Sequence, residues 1–268
     1  VGARFYTYMT SMAFVMEEAA SHKIKVFVLD RPNPIGGVSI EGPTLDQDLA
    51  SFVGYFPAMP TRPGMTLGEI ARLFNAEKKI GADLTVVAMR GWRRVAWFDE
   101  TGLTWIGPSP NMRNLYAATL YTGLASFEST NLSVGRGTDT PFEHVGAPWI
   151  DGMRLSEALN ARAIPGVRFY PVQFTPTSSK FANEVCQGVF IVITDRNAVR
   201  PVRVGVEIAS ALHRLFPGKF DIDLASRLFG SVAGLTRIKN GDDPATIAAA
   251  WNAGEARWRL LRAKYLLY

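Results

Sequence analysis

The chain has 268 residues, of which 47% are hydrophobic and 20% are charged, as in ordinary folded proteins. This composition excludes a disordered tail and a collagen-like fibre, and the single cysteine, Cys186, excludes a disulfide-stabilised miniprotein. The net charge of +5 is spread along the chain, too weak a basic signal to predict nucleic-acid binding. No run of about 18 apolar residues exists, so we predict no membrane span.

Strands and helices alternate in the first part of the chain. Apolar residues at helical spacing predict a helix over residues 5–20, and the short apolar run at 24–30 is typical of a buried parallel strand. Another helix is predicted over residues 65–78, and a second apolar strand over 84–89. Thr66 and Glu69 fit a capping box at the start of that helix.

The chain begins at Val1, without a methionine and within what looks like a structural element. We therefore expect that residues upstream are missing. Two parallel strands alone are too few to bury both faces of a sheet, so we expect the sheet to be part of a larger one.

From residue 91 to 148 the sequence is dense in Gly, Pro, Ser, Asn and Trp, with one helical stretch at 114–124. So much loop is typical of a functional region. Helices and strands then alternate again. The predicted elements are a helix at 153–162, an alternating segment at 167–174, a strand at 188–194 and a helix at 201–216. A last helix is predicted from Asp243, with Trp251 and Trp258 on one face. We predict an α/β protein with domains at 1–138 and 139–268.

Most familiar catalytic motifs are absent: there is no G-x-S-x-G, Walker A, H-E-x-x-H or C-x-x-C. Gly135-Arg136-Gly137 lacks the third glycine of a dinucleotide fingerprint and precedes Pro141 instead of a helix. The three histidines lie far apart, without the spacing of metal ligands. We therefore predict neither a metal ion nor another cofactor.

Two polar segments of the first half are candidates for a site. Arg4, Tyr6 and Tyr8 lie at the start of the first helix, although the aromatic rings could equally belong to the core and Arg4 could be a solvated cation. Arg31 and Asn33 follow the first strand in a proline-stiffened loop, at the edge where open α/β sheets bind ligands. The alternative is that Asp30 and Arg31 pair to brace this loop.

Carboxylates and amides in constrained loops complete the candidate set. Gly42-Pro43 restricts the backbone beside Glu41, and prolines flank Ser109 and Asn111, which could also form a plain turn. Glu128 lies between an apolar helix and a polar loop carrying Asn131, Arg136 and Glu143. An apolar wall would raise the pKa of Glu128, as a general acid requires. Alternatively, Glu128 pairs with Arg136 or caps backbone amides.

These segments carry a resemblance. The motifs occur in the order VGARFYTY, LDRPNPIGG with EGP, GMTLGEIARLFN, GWRR with WFDETGL, PSPNM, ESTNLSVGRGT and PFEHVGAPWID. Together they resemble the exo-β-N-acetylmuramidase family, and the resemblance continues to the closing YLLY. It implies a Rossmann-like N-terminal domain, incomplete here, a smaller C-terminal α/β domain, and an active cleft between them.

The implied activity is release of terminal N-acetylmuramic acid from the non-reducing ends of peptidoglycan fragments. Among the residues present, the resemblance and the loop chemistry favour Glu128 and Glu41 as catalytic groups. The expected substrate-binding residues are Arg4, Tyr6, Tyr8, Arg31, Asn33, Ser109, Asn111, Asn131 and Arg136. One of Arg4, Arg31 and Arg136 would grip the lactyl carboxylate of the sugar. The expected partners are glycans ending in N-acetylmuramic acid, and the expected location is extracytoplasmic, either periplasmic or secreted.

The sequence departs from the family in two places. The family's chain begins well before VGARFYTY, and the part absent here includes a PEHG-type segment whose glutamate is a strong candidate for the catalytic acid. A chain of this length would then be impaired. Pro63 also stands where the family often has a histidine. A non-catalytic peptidoglycan-binding protein on the same scaffold is therefore the alternative, and an esterase or amidase is disfavoured because G-x-S-x-G is missing.

Overall fold

The computed structural model describes all residues, 1–268, and divides them into two compact units. Unit 1 comprises Val1–Trp105 and Trp251–Tyr268, and unit 2 comprises Ile106–Ala250. The sequence-based boundary between residues 138 and 139 lies within unit 2, and as a boundary between folding domains it stays a prediction.

Nine α-helices and seven β-strands alternate along the chain. They are α1 Tyr8–Ser21, β1 Val26–Leu29, β2 Glu41–Thr44, β3 Pro60–Arg62, α2 Leu67–Glu77, β4 Leu84–Val87, α3 Leu115–Leu124, β5 His144–Ala147, α4 Gly152–Ala161, β6 Val167–Phe174, β7 Cys186–Ile193, α5 Pro201–Leu215, α6 Ser226–Phe229, α7 Val232–Lys239, α8 Pro244–Ala249 and α9 Asn252–Ala263. No helix is both long enough and apolar enough to cross a bilayer.

The parallel pair of unit 1 consists of β1 and β4, in register from Val26 opposite Leu84 to Leu29 opposite Val87. Val26 and Val28 pack with Met16 of α1 and other apolar residues of α1 and α2. On the other side of β1, Phe27 is 60% exposed and Leu29 is 64% exposed. The prediction of parallel strands is confirmed, but the expectation of a buried strand is wrong because the helices cover only one face.

Helix α2 begins at the predicted capping box. Thr66 Oγ1 accepts a hydrogen bond from the Glu69 backbone N–H, and the Glu69 carboxylate accepts one from the Thr66 backbone N–H. Its apolar face contributes Ile70, Leu73 and Phe74 to a core that also contains Met9 and Met59. The capping box therefore fixes where α2 starts. The apolar stripe of α2 packs this helix against α1.

The last stretch of helix differs from the prediction. A turn at Ala250 and Trp251 separates α8 from α9, so the single helix expected from Asp243 onward is two. Helix α9 belongs to unit 1, where Trp258 is 1% exposed and its indole N–H donates to the Pro63 carbonyl at 2.9 Å. The chain thus returns to its first unit after completing the second.

Unit 2 is built on an antiparallel sheet of strand order β5-β7-β6. Helices α3 and α5 approach so closely that a Cβ atom on Gly123 would lie 1.9 Å from the Pro201 carbonyl oxygen. A Cβ atom on Gly205 would lie 2.3 Å from the Gly123 carbonyl oxygen. Only glycine permits this contact, so the two helices meet backbone to backbone.

Candidate functional site

In unit 1, Asp30 organises the carboxyl end of the parallel strands. Its carboxylate accepts hydrogen bonds from the Thr66 hydroxyl at 2.6 Å, the Gly68 N–H at 2.8 Å and the Tyr268 hydroxyl at 2.8 Å. The Tyr268 hydroxyl in turn accepts from the Met89 N–H, and burial raises the pKa of Tyr268 to about 12. Asp30 therefore ties together the ends of β1 and β4 and the start of α2.

Two candidate substrate-binding residues, Arg31 and Asn33, lie in the loop after Asp30, and hydrogen bonds hold only the side chain of Asn33 in place. Asn33 is 3% exposed, donates to the Met65 carbonyl at 3.0 Å and accepts from the Ile35 N–H. Arg31 is exposed, and only its backbone N–H contacts Asp30. The proposed bracing pair of Asp30 and the Arg31 guanidinium is therefore not present, and this guanidinium is available to a ligand.

Arg4 lies in the interior of unit 1. It is 1% exposed, and its Nη1 donates to the carbonyls of Pro43 at 3.0 Å and Met59 at 2.7 Å. Burial lowers the pKa of Arg4 to about 9, which still leaves the side chain charged at neutral pH. The alternative of a solvated surface cation is therefore wrong, and substrate binding by Arg4 stays a prediction.

Glu41 is 3% exposed and lies opposite Arg62 in the pairing of β2 with β3. Arg62 is also buried, and its guanidinium lies 5.8 Å from the Trp97 ring centroid. The sequence analysis missed Arg62 because neither of these short strands has an apolar alternation that reveals their pairing. A buried carboxylate in register with a buried arginine is typical of a structural position as well as of a catalytic group.

The two tyrosines near the start of α1 differ in burial. Tyr8 is 53% exposed, Tyr6 is half-buried, and their ring centroids lie 5.0 Å apart in an edge-to-face contact. One aromatic surface therefore remains open to solvent in unit 1, as stacking on a sugar face requires.

In unit 2, the Glu128 carboxylate pairs with the Arg136 guanidinium. The Lys180 ammonium donates to the carbonyls of Glu128 and Thr130, and burial lowers its pKa. Two cations therefore surround Glu128, and its pairing with Arg136, left open by the sequence, is the observed arrangement. The ion pair with Arg136 fixes the position of the Glu128 carboxylate, which suits a group that holds or orients a partner.

The remaining candidates of unit 2 lie in loops. The Asn131 amide donates to the Lys219 carbonyl at 2.7 Å and accepts from the Asp221 N–H at 2.9 Å, which links two loops. Ser109 and Asn111 are half-buried in a turn closed by a hydrogen bond from the Met112 N–H to the Ser109 carbonyl. The backbone around Ser109 and Asn111 therefore forms the turn that the sequence offered as the alternative to a binding site.

Glu143 has the environment that the sequence analysis expected for Glu128. It is 7% exposed, burial raises its pKa, and Asn114 donates to it at 2.9 Å. Next to it, His144 is 2% exposed and burial lowers its pKa to about 4. The sequence does contain a signal for this burial of Glu143. The residue lies between Phe142 and the short strand that begins at His144, and both are buried.

Two family models together match almost the whole chain. The N-terminal model of the exo-beta-N-acetylmuramidase NamZ matches residues 1–116, and the C-terminal model matches residues 119–268. The chain belongs to the NamZ exo-beta-N-acetylmuramidase family. The family and the α/β architecture predicted from the ordered motifs are thereby confirmed.

A characterised relative shares much of this sequence. The peptidoglycan beta-N-acetylmuramidase NamZ of Bacillus subtilis (strain 168) is 44% identical over 272 residues. The alignment covers 100% of this chain and 65% of that protein. The chain therefore spans about two thirds of the length of its NamZ relative.

Two solved structures of DUF1343 family proteins from Bacteroides fragilis NCTC 9343 share the fold. One superimposes with a TM-score of 0.93 at 31% identity, covering 100% of this chain and 72% of that structure. The other gives a TM-score of 0.78 at 30% identity, covering 100% and 73%. The NamZ family and these DUF1343 proteins thus share one architecture.

Proposed function

We propose that this protein is a peptidoglycan glycosidase that releases terminal N-acetylmuramic acid from the non-reducing ends of wall fragments. The observation that carries the proposal is the 44% identity, along the whole chain, to a protein named as a peptidoglycan beta-N-acetylmuramidase. The proposed substrates are glycans ending in N-acetylmuramic acid, and the proposed role is degradation and recycling of the cell wall outside the cytoplasm.

The carboxyl groups of Glu128 and Glu41 are better suited to positioning the substrate than to donating a proton. Glycoside cleavage needs a proton donor for the leaving oxygen and a second group, which the substrate's own N-acetyl group can replace. Glu128 is held by Arg136 and Glu41 is enclosed opposite Arg62, so both suit positioning better than proton donation. We therefore assign Glu128 a supporting role in holding the sugar.

Arg31 is the arginine best placed to grip the lactyl carboxylate. Arg4 is occupied by carbonyl oxygens and Arg136 by Glu128, whereas the Arg31 guanidinium is exposed and unpaired at the end of β1. A charge-assisted hydrogen bond to a carboxylate contributes about 1.5–3 kcal/mol. Loss of Arg31 should therefore weaken binding of N-acetylmuramic acid more than that of N-acetylglucosamine, which lacks the carboxylate.

The function is tested by incubating the purified full-length protein, with the segment that precedes VGARFYTY in the family, with chromogenic β-glycosides of N-acetylmuramic acid and of N-acetylglucosamine. Release of the chromophore from the muramic acid glycoside alone is the expected result. Binding of that glycoside without any turnover would instead support a non-catalytic peptidoglycan-binding protein. If the protein neither binds nor cleaves the muramic acid glycoside, both functions are excluded.

Two variants test the residue assignments. Arg31→Gln should lower affinity for N-acetylmuramic acid about tenfold or more and leave N-acetylglucosamine unaffected. Arg93→Gln, at another exposed arginine of unit 1, is the control and should change neither affinity. Glu128→Gln should raise KM more than it lowers kcat. A loss of kcat of about 10² or more would instead assign Glu128 to acid–base chemistry.

A further inference from the structure

A cavity of about 200 Å³ lies within unit 2, bordered by α4, α5 and the segment that joins α7 to α8. This volume is several times the roughly 30 Å³ that one water occupies in the liquid. It is also smaller than the range of about 300–1,000 Å³ that is usual for drug-sized ligands. The cavity therefore suits a ligand of only a few heavy atoms.

One face of α5 brings unpaired hydrogen-bond donors to this cavity. Ser210, His213 and Arg214 are three and four residues apart, so they share a face of the helix, and all three line the cavity. The Ser210 hydroxyl oxygen is buried and has no hydrogen-bond partner. The Arg214 guanidinium is exposed and forms no ion pair. A buried hydroxyl without a partner costs free energy, which a bound acceptor would remove.

Two acidic side chains form another part of the cavity wall. Asp242 and Asp243 line it just before α8, and each already accepts one arginine, from Arg237 at 2.6 Å and from Arg162 at 2.7 Å. A carboxylate has about four acceptor sites, so both can still accept from a ligand. The wall therefore offers acceptors that existing ion pairs hold in place.

A buried ion pair also borders the cavity. Glu207 is 2% exposed and accepts from Arg162 at 2.9 Å and from Arg203 at 3.3 Å. Arg162 thereby joins α5 to the acidic wall, and hydrogen bonds to Glu207 and Asp243 raise its pKa. The acceptors before α8 are thus tied through Arg162 to α5, the helix that carries the donors.

We propose that this cavity binds a small zwitterion, a free α-amino acid. The ligand carboxylate accepts hydrogen bonds from Ser210 and Arg214, and its ammonium group donates to Asp242 and Asp243. A simple anion would be repelled by the acidic wall, and a simple cation by Arg214. The site goes beyond the proposed glycosidase function and does not depend on it.

Calorimetric titration of the purified protein with matched probes tests the proposal. L-Alanine carries both charges, propionate carries only the carboxylate, and ethylamine carries only the ammonium group. Saturable binding of L-alanine is expected, with propionate and ethylamine each at least about tenfold weaker. L-Alanyl-L-alanine, whose ammonium and carboxylate lie on different residues, should bind more weakly than L-alanine.

Variants locate the binding. Arg214→Gln should weaken L-alanine binding about tenfold, and Asp242→Asn should weaken it severalfold. Arg257→Gln, at an exposed arginine of α9, is the matched control and should have no effect. Thermal unfolding of each variant establishes that it is folded. The proposal is wrong if no probe saturates at millimolar concentration, if propionate binds as tightly as L-alanine, or if folded Arg214→Gln retains full affinity.

Discussion

Three buried or partly buried arginines, two in unit 1 and one in unit 2, differ in their partners. In unit 1, the buried guanidinium groups of Arg4 and Arg262 donate to backbone carbonyl oxygens, and burial lowers their pKa values to about 9 and about 10. In unit 2, Arg162 is paired with the carboxylates of Glu207 and Asp243, and its pKa is raised. The same side chain is a clamp on irregular backbone in one unit and part of an ion-pair network in the other.

The difference follows from the secondary structure of each unit. Unit 1 contains long irregular segments whose carbonyls lack partners in a sheet or helix, and one guanidinium with five N–H groups satisfies several of them. Unit 2 places its arginines on neighbouring helices, where side chains meet side chains. We therefore expect unit 1 to be more sensitive to loss of a single buried arginine.

The largest expected effect is that of Arg262→Met. Arg262 is 4% exposed and donates to the carbonyls of Gly37, Val38, Pro63 and Gly64. Methionine fills the space but removes four charge-assisted hydrogen bonds, and with them the donor to the Val38 carbonyl, so the free energy of unfolding should fall by about 4 kcal/mol. Urea unfolding measures the change. Arg259→Met, on an exposed site of the same helix, should change stability by less than about 0.5 kcal/mol, and equal losses would contradict the clamp.

The second effect is acid sensitivity that originates in unit 2. The pKa of His144 is about 4 in the folded protein, below the ordinary 6.5, so the unfolded chain takes up this proton first as pH falls. Lowering the pH from about 6.5 to about 4 should therefore reduce the free energy of unfolding, by about 3 kcal/mol from this group. Arg4 adds nothing in this range, because it is protonated in both states.

Urea unfolding across this pH range, compared between the wild-type protein and His144→Gln, checks the assignment. The variant should lose the part of the pH dependence that the His144 imidazole contributes. His22→Gln, at an exposed histidine of unit 1, should retain it. A wild-type slope that persists in His144→Gln would place the acid-sensitive group elsewhere.

A smaller effect is expected for the ion-pair network of unit 2. Glu207→Gln keeps the shape of the side chain but removes the charge that Arg162 and Arg203 contact. Because both arginines are partly exposed, the loss should be about 2 kcal/mol, below that of Arg262→Met. Asp139→Asn is the control, since its pair with Arg113 is exposed and should contribute less than about 0.5 kcal/mol. A Glu207→Gln loss exceeding that of Arg262→Met would reverse the comparison.

The smallest effect concerns the strand ends of unit 1. Tyr268→Phe removes the hydroxyl that links Asp30 to the Met89 N–H and should cost about 1–1.5 kcal/mol. Tyr265→Phe removes an exposed hydroxyl that donates to Glu77 and should cost less. Thermal unfolding of the two variants ranks them, and equal midpoints would show that the Asp30 cluster contributes nothing beyond a surface contact.

The sequence predicted elements best where local signals agree. The capping box at Thr66 and Glu69, the strand at 167–174 and the helix beginning at Pro201 all match the structure closely. The short strands β2, β3 and β5 were missed, because EGPT, PTR and HVGA have no alternating pattern and depend on distant partners.

The site was harder to predict than the fold. That Glu128 would face Arg136 was open from spacing alone, and the buried environment of Glu143 depends on the packing of the strand that follows it. Arg4 looked like a loop cation, but contacts with residues 43 and 59 enclose it. Burial is set by residues far away in sequence, which a single sequence does not reveal.

The order in which the two units are completed during translation follows from the return of the chain at residue 251. Unit 2 is one continuous segment, so it can fold as soon as it leaves the ribosome. Unit 1 must wait for α9, whose Trp258 and Arg262 fill its interior and hold its loops. A nascent chain stalled before α9 would therefore carry a folded unit 2 beside an unfinished unit 1, a natural substrate for chaperones.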